Sequence, residues 1–173
     1  GILMPGDGAA DPSGVTHMLA KAAKMQGAKI YEKSPVKEII TKNGRISGVK
    51  VDDHIIDCEY IVLASGMWSR QIGEKAGVSI PLYPAEHFYI ITEPIKNLAS
   101  NLPVIRDFDN RTYIKEDAGK ILVGIFEGNS IPAWNKTNVV PEDFSFGEFQ
   151  ENFEHFEPYL NSAIKRFPVL ETA

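Results

Sequence analysis

The dipeptide Asn43-Gly44 constrains this chain more than any other feature. It separates two runs that read as strands, and a two-residue hairpin turn needs positive φ at both central positions, which Asn and Gly tolerate best. The segment PVKEIITKNGRISGVKVDDHIIDCEYIVLAS therefore reads as strand, tight turn, strand, turn, strand, with Asp52-Asp53 as the second turn. Its last part runs on into IVLASGMWSR, where an apolar run of strand length meets a small-residue turn, Ala64-Ser65-Gly66, and then a helix start. Doubly wound sheets present such strand ends to ligands. Yet G-x-G-x-x-G, the usual phosphate cradle of such sheets, is absent from the chain.

Upstream, Asp11-Pro12-Ser13 combines a capping side chain with a proline tolerated in the first helical turn. Val15, Met18, Leu19, Ala22 and Ala23 recur at helical spacing, and Gly27 closes the helix. AKIYE is expected as a short strand, and residues 68–76 as a short helix stopped at Gly77. Helix, strand, meander and final strand make half of a nucleotide-binding α/β domain.

After Pro81 the composition shifts to β-branched and aromatic residues. Residues 83–93, LPVIRDF, RTYIKED and KILVGIFE read as strands of an antiparallel sheet, with turns at Asp109-Asn110 and Ala118-Gly119. From Pro141 onward a helix is expected, with the Phe residues from Phe144 to Phe156 packing on that sheet. The expected class is α/β with α+β character. A partial Rossmann-like lobe spans 1–80 and an antiparallel β-sheet lobe with a covering helix spans 81–173.

A chain of 173 residues can bury roughly 70% of its unfolded surface. With a net charge of −5 and scattered Lys and Arg, it offers no surface for nucleic acid or an anionic membrane. No apolar run approaches the ~20 residues of a membrane helix, and the start lacks the pattern of a secretory signal. A single cysteine, Cys58, excludes an internal disulfide and fits a reducing compartment. It reads as a buried structural thiol or a reactive one. The chain opens on GILMPGDGAADPSG and closes on FPVLETA, as though cut from a longer polypeptide.

Several chemistries find no support. His17, His54, His87 and His155 lie far apart, and none has metal-ligand spacing with Cys58. GDGAADPSG would set Asp7 and Asp11 beside an anion, so it reads as a turn and helix cap. No G-x-S-x-G or Cys/His pairing suggests a hydrolase.

GDGAADPSG, VLASGMWSRQIGEKAGVSIPLYPAEHFYIITEPI, LPVIRDFDNRTYIKEDAGKILVGIFE and FEPYLNSAIKRFPVLETA together resemble the dimethylglycine/sarcosine dehydrogenase family, D-amino-acid-oxidase-like flavoproteins. The resemblance runs in one order along the whole chain and covers a central part of such a protein. It implies an FAD-dependent parent that oxidises an N-methylated amino acid by hydride transfer to flavin. It also implies a small amino-acid substrate, a folate partner through a further domain, and a cytoplasmic or mitochondrial matrix location. A non-catalytic regulatory module built on the same scaffold is the competing reading, since relatives that regulate a phosphatase complex exist. An amine oxidase of the superfamily with another substrate is a third.

By the same resemblance, the strand end at Ala64-Ser65-Gly66 faces FAD, with Trp68 opening the following helix. A plain strand-to-helix turn accounts for these residues equally well without the family. The family commonly has an Asn-Cys-Ala-Gly-like run here, so Leu63-Ala64-Ser65 is a mild departure. Val36 falls where relatives hold the adenine by strand backbone, though it also reads as an ordinary edge-strand residue. The resemblance makes His87, in PAEHFYII, the active-site histidine and Tyr113, in DNRTYIKED, a substrate contact. The bland alternatives are a structural histidine and a sheet aromatic at the rim. Arg106, in LPVIRDF, could hold a substrate carboxylate bidentately or form an exposed salt bridge. The isolated chain is expected to bind FAD weakly or not at all and to show no turnover.

Overall fold

The computed structural model describes residues 1–173. Its contacts group into two units, one of residues 11–84 and 133–144, the other of residues 1–10, 85–132 and 145–173.

In the first unit, α1 (Pro12–Met25) starts as its sequence dictates. The Asp11 carboxylate accepts the Ser13 amide N–H, Pro12 opens the first turn, and Gly27 follows the end at φ +93°. A three-stranded antiparallel meander follows: β1 (Val36–Lys42), β2 (Arg45–Val51) and β3 (His54–Asp57), in that order. Asn43 and Gly44 both take positive φ, at 52° and 74°, and close Lys42 onto Arg45. Asp52, also at positive φ, turns β2 into β3, pairing Val51 with His54.

Two expected strands do not form. AKIYE (28–32) and IVLAS (61–65) carry no ladder, because neither finds a neighbouring strand to bond with within these residues. Strand propensity without a partner leaves an irregular segment, and Val62 is 90% exposed. Both sheets that do form are antiparallel. The expected 68–76 helix is shorter: a 3-10 turn at Gly66–Trp68, then α2 (Ser69–Glu74), with Gly77 at φ +70° behind it. Residues 133–144 close the unit. The Gln71 side-chain amide pairs with both the N–H and the carbonyl of Val140, at 2.7 and 3.0 Å. The Trp68 indole N–H donates to the Pro141 carbonyl at 3.0 Å.

The second unit is built on a four-stranded antiparallel sheet of β4 (Tyr89–Ile91), β5 (Ile105–Asp107), β6 (Thr112–Asp117) and β7 (Lys120–Ile125), ordered β4-β7-β6-β5. Strict alternation sorts its two faces. Ile121, Val123 and Ile125 of β7 and Thr112 and Ile114 of β6 are buried on one face. There Ile114, Ile121 and Val123 pack with Ala163 and Leu170. Ala163 belongs to α3 (Phe153–Arg166) and Leu170 to the 3-10 turn after it. Each fully buried Ile or Val contributes about 1.5–3 kcal/mol. Asp107 stitches the edge: its carboxylate takes the Asn110 side-chain and backbone N–H groups and the Arg166 Nε.

The helix expected from Pro141 begins only at Phe153, where the Asn152 side chain accepts the His155 N–H at 3.0 Å. Asp143, Ser145 and Gly147 favour turns over helix, and Phe146 sits at positive φ. The expected packing of the whole Phe series on the sheet fails accordingly. Phe156 is buried, Phe144 meets Trp134 edge-on, and Phe146, Phe149 and Phe153 are exposed.

Candidate active site

The other face of the second sheet carries the polar chemistry. Tyr89, Gly124, Tyr113 and Arg106 form one row across β4, β7, β6 and β5, paired residue to residue. Cross-strand partners share a face, so the Tyr89, Tyr113 and Arg106 side chains emerge together on the face opposite α3. Phe126, two residues beyond Gly124, has its ring 5.2 Å from Tyr113. The Arg106 guanidinium lies 4.3 Å over the Phe126 ring and 5.4 Å over Phe108. A cation–π contact of this kind contributes about 0.5–1 kcal/mol at an exposed site. A cavity of about 330 Å³ beside it is lined by Arg106, Phe108, Arg111, Phe126 and Glu127, among others.

His87, just before β4, reaches over this row. Its Nε2 lies 3.3 Å from the Tyr113 hydroxyl and its Nδ1 3.1 Å from Glu127 Oε2. The imidazole and phenol rings are near-parallel, at 8°, with centroids 6.0 Å apart. The other Glu127 oxygen, Oε1, accepts the Phe88 N–H at 2.9 Å. The Glu127 side chain is 4% exposed whereas His87 is 45% exposed, so a buried carboxylate anchors an accessible imidazole. Burial chiefly, and then electrostatic interaction with Glu127 and with Tyr89, hold the Tyr113 hydroxyl above its ordinary pKa of 10.0. The phenol therefore stays protonated and able to donate.

The sequence-predicted residues thus fall into two sets. His87, Tyr113 and Arg106 come together on one face of one sheet. Val36, Ala64, Gly66 and Trp68 lie in the unit of residues 11–84 and 133–144. Gly66 has φ +53°, and a Cβ there would meet nothing within 4 Å. Its backbone is open, and Ala64 beside it is exposed, so this turn fits a group that approaches the main chain closely. Val36 heads edge strand β1, and its carbonyl accepts from Lys75 Nζ at 3.1 Å. The Trp68 N–H is spent on Pro141, so Trp68 holds the turn and offers no free donor.

Glu127 escaped the sequence reading, because a lone acid at a strand end usually marks a solvated terminus. The apolar run ILVGIF ahead of it was the available signal. Of the other histidines, His155 packs its ring 5.3 Å from Phe88, and His17 and His54 lie in the other unit. Cys58 is half-buried. No group of three or more His, Cys, Asp or Glu side chains is placed to hold a metal ion. No helix is long and apolar enough to cross a membrane.

Residues 1–173 match the family described as FAD dependent oxidoreductase, DAO. The 4-methylaminobutanoate oxidase (formaldehyde-forming) of Paenarthrobacter nicotinovorans is 37% identical over 99% of the chain and 20% of its own length. The mitochondrial pyruvate dehydrogenase phosphatase regulatory subunit of Mus musculus is also 37% identical, over 99% of the chain and 20% of its length. Human mitochondrial sarcosine dehydrogenase is 34% identical over 98% of the chain and 18% of its length. The chain therefore spans about a fifth of the length of these curated relatives. Among solved structures, L-proline dehydrogenase from P. horikoshii matches with a TM-score of 0.76 at 30% identity, over 97% of this chain and 42% of that one. The chain belongs to the FAD dependent oxidoreductase family of the DAO type, with sarcosine dehydrogenase among its relatives.

Proposed function

We propose that this chain is the central portion of an enzyme that oxidises an N-methylated amino acid, with residues 11–84 and 133–144 contributing cofactor contacts and the second sheet contributing substrate contacts. One observation carries the reading. An accessible imidazole, a protonated phenol and a guanidinium stand on the open face of one sheet, backed by a buried carboxylate.

Bound FAD would supply the hydride acceptor for the carbon next to the amine nitrogen. The chain's own residues supply position. Arg106 takes the substrate carboxylate through its planar fork, while His87 Nε2 and the Tyr113 hydroxyl orient the amine. The Phe126 and Phe108 rings keep the guanidinium in place and cover the apolar side of the site. Backbone at Ala64 and Gly66, with the strand at Val36, offers main-chain contact to the cofactor, and Trp68 fixes the turn. A folate, if the full-length polypeptide binds one, would receive the one-carbon unit, and none of these residues is assigned to it. With no G-x-G-x-x-G in its sequence, the isolated chain binds FAD weakly and does not turn over.

A non-catalytic module is the second reading, favoured by the 37% identity to the phosphatase regulatory subunit. The test is oxidation by the full-length polypeptide of N-methyl amino acids beside N-methyl amines that lack the carboxylate. Oxidation of the acids alone, with Arg106→Lys raising KM about 10-fold or more, is the expected result. A colourless polypeptide inert toward every amine would favour the regulatory reading.

A further inference from the structure

A carboxylate can only accept hydrogen bonds. Glu127 Oε2 faces His87 Nδ1 at 3.1 Å and is shielded from water, so the proton on this contact belongs to Nδ1. In the neutral ring that leaves Nε2 with its lone pair outward, and the partner there, at 3.3 Å, is a hydroxyl able to donate. Glu127 is itself fixed by the Phe88 N–H on its other oxygen, at 2.9 Å. Donation converges on the carboxylate: the Phe88 N–H donates to Oε1, the Nδ1–H to Oε2, and the phenol O–H to Nε2 behind it.

We propose that Glu127 is a positioning residue: it holds His87 as the Nδ1-protonated tautomer and aims an unprotonated Nε2 at the substrate face. This rests on the reading of His87 as the group that meets the amine, and it adds what that reading lacks, a reason for the imidazole to accept from an amine N–H. An Nε2-protonated ring would instead present a second donor to a substrate nitrogen that already carries protons. The Tyr113 hydroxyl holds the accepting lone pair until an amine N–H replaces it.

Neutron diffraction on deuterium-exchanged crystals of the full-length polypeptide reads the tautomer directly, without turnover. The expected map has a deuteron on His87 Nδ1 toward Glu127, none on Nε2, and the Tyr113 O–D pointing at Nε2. Glu127→Gln separates positioning from scaffolding. Its amide oxygen can still accept from Phe88 N–H while its NH2 donates to Nδ1, so the deuteron moves to Nε2 with the backbone unchanged. Tyr113→Phe leaves the deuteron on Nδ1.

A deuteron on Nε2 alone, or on both nitrogens, in the unaltered protein would overturn the proposal even if the glutamine variant does not fold. So would a shift of the deuteron to Nε2 in Tyr113→Phe. Failure of the amine-oxidation reading would leave these maps unaffected. Conversely, an active enzyme with His87 protonated on Nε2 would keep the function and remove the role of Glu127.

Discussion

Gly124 stands opposite Tyr113 across the β6–β7 ladder, and the missing side chain there is what gives the phenol ring its place. A Cβ on Gly124 would run into the Tyr113 ring and hydroxyl. The requirement is space, since Gly124 is not among the glycines at positive φ. Gly124→Ala therefore displaces Tyr113 from His87. We expect a loss of about 1–3 kcal/mol in stability and a fall in kcat/KM close to that of Tyr113→Phe. In a Tyr113→Ala background the same change should cost under about 0.5 kcal/mol. A double-mutant cycle by thermal unfolding measures the difference.

The Asn110 side-chain amide, ahead of its backbone N–H and Arg166, holds the Asp107 carboxyl below its ordinary pKa of 3.8, with burial opposing them. A carboxylate whose pKa is depressed by folding stabilises the folded state above 3.8, and that stabilisation is lost as pH falls through the lowered value. Asp107→Asn should flatten the acid limb of a Tm profile recorded from about pH 5 downward. An unchanged limb would show that the Asp107 bonds carry no net stability.

Tyr113 provides the alkaline counterpart. Its pKa is raised on folding, so its contribution to stability is present below pH 10.0 and lost as pH rises through the raised value. Among the six tyrosines, Tyr113→Phe should remove a component that ionises above 10.0 in a tyrosinate absorbance titration. Glu127→Gln should lower that component without restoring 10.0, because burial, the larger cause, remains.

What the sequence made legible was local. Asn43-Gly44 sets its own turn from two backbone dihedrals, and the Asp11 cap needs only the amide two residues on. AKIYE and IVLAS failed as strands because a ladder is a property of two segments, and propensity reports on one. His87 and Tyr113 were named through family resemblance, but their partner Glu127 lies 40 residues from His87 in the chain. The apolar run ahead of Glu127 is the one sequence signal, and it does not by itself say that the carboxylate is buried. Gly124 was equally silent, since a strand glycine declares its purpose only when the cross-strand ring is known.

The central claim is that the His87–Tyr113 face meets an N-methylated amino acid. It is tested most directly by anaerobic mixing of the flavin-loaded full-length polypeptide with sarcosine, dimethylglycine and 4-methylaminobutanoate while the flavin absorbance is followed. At least one of the three should bleach the band, and a His87→Ala/Tyr113→Phe variant that retains its flavin should bleach roughly 100-fold more slowly or worse. A yellow protein that none of them reduces, or a double variant reduced at the original rate, would contradict the account.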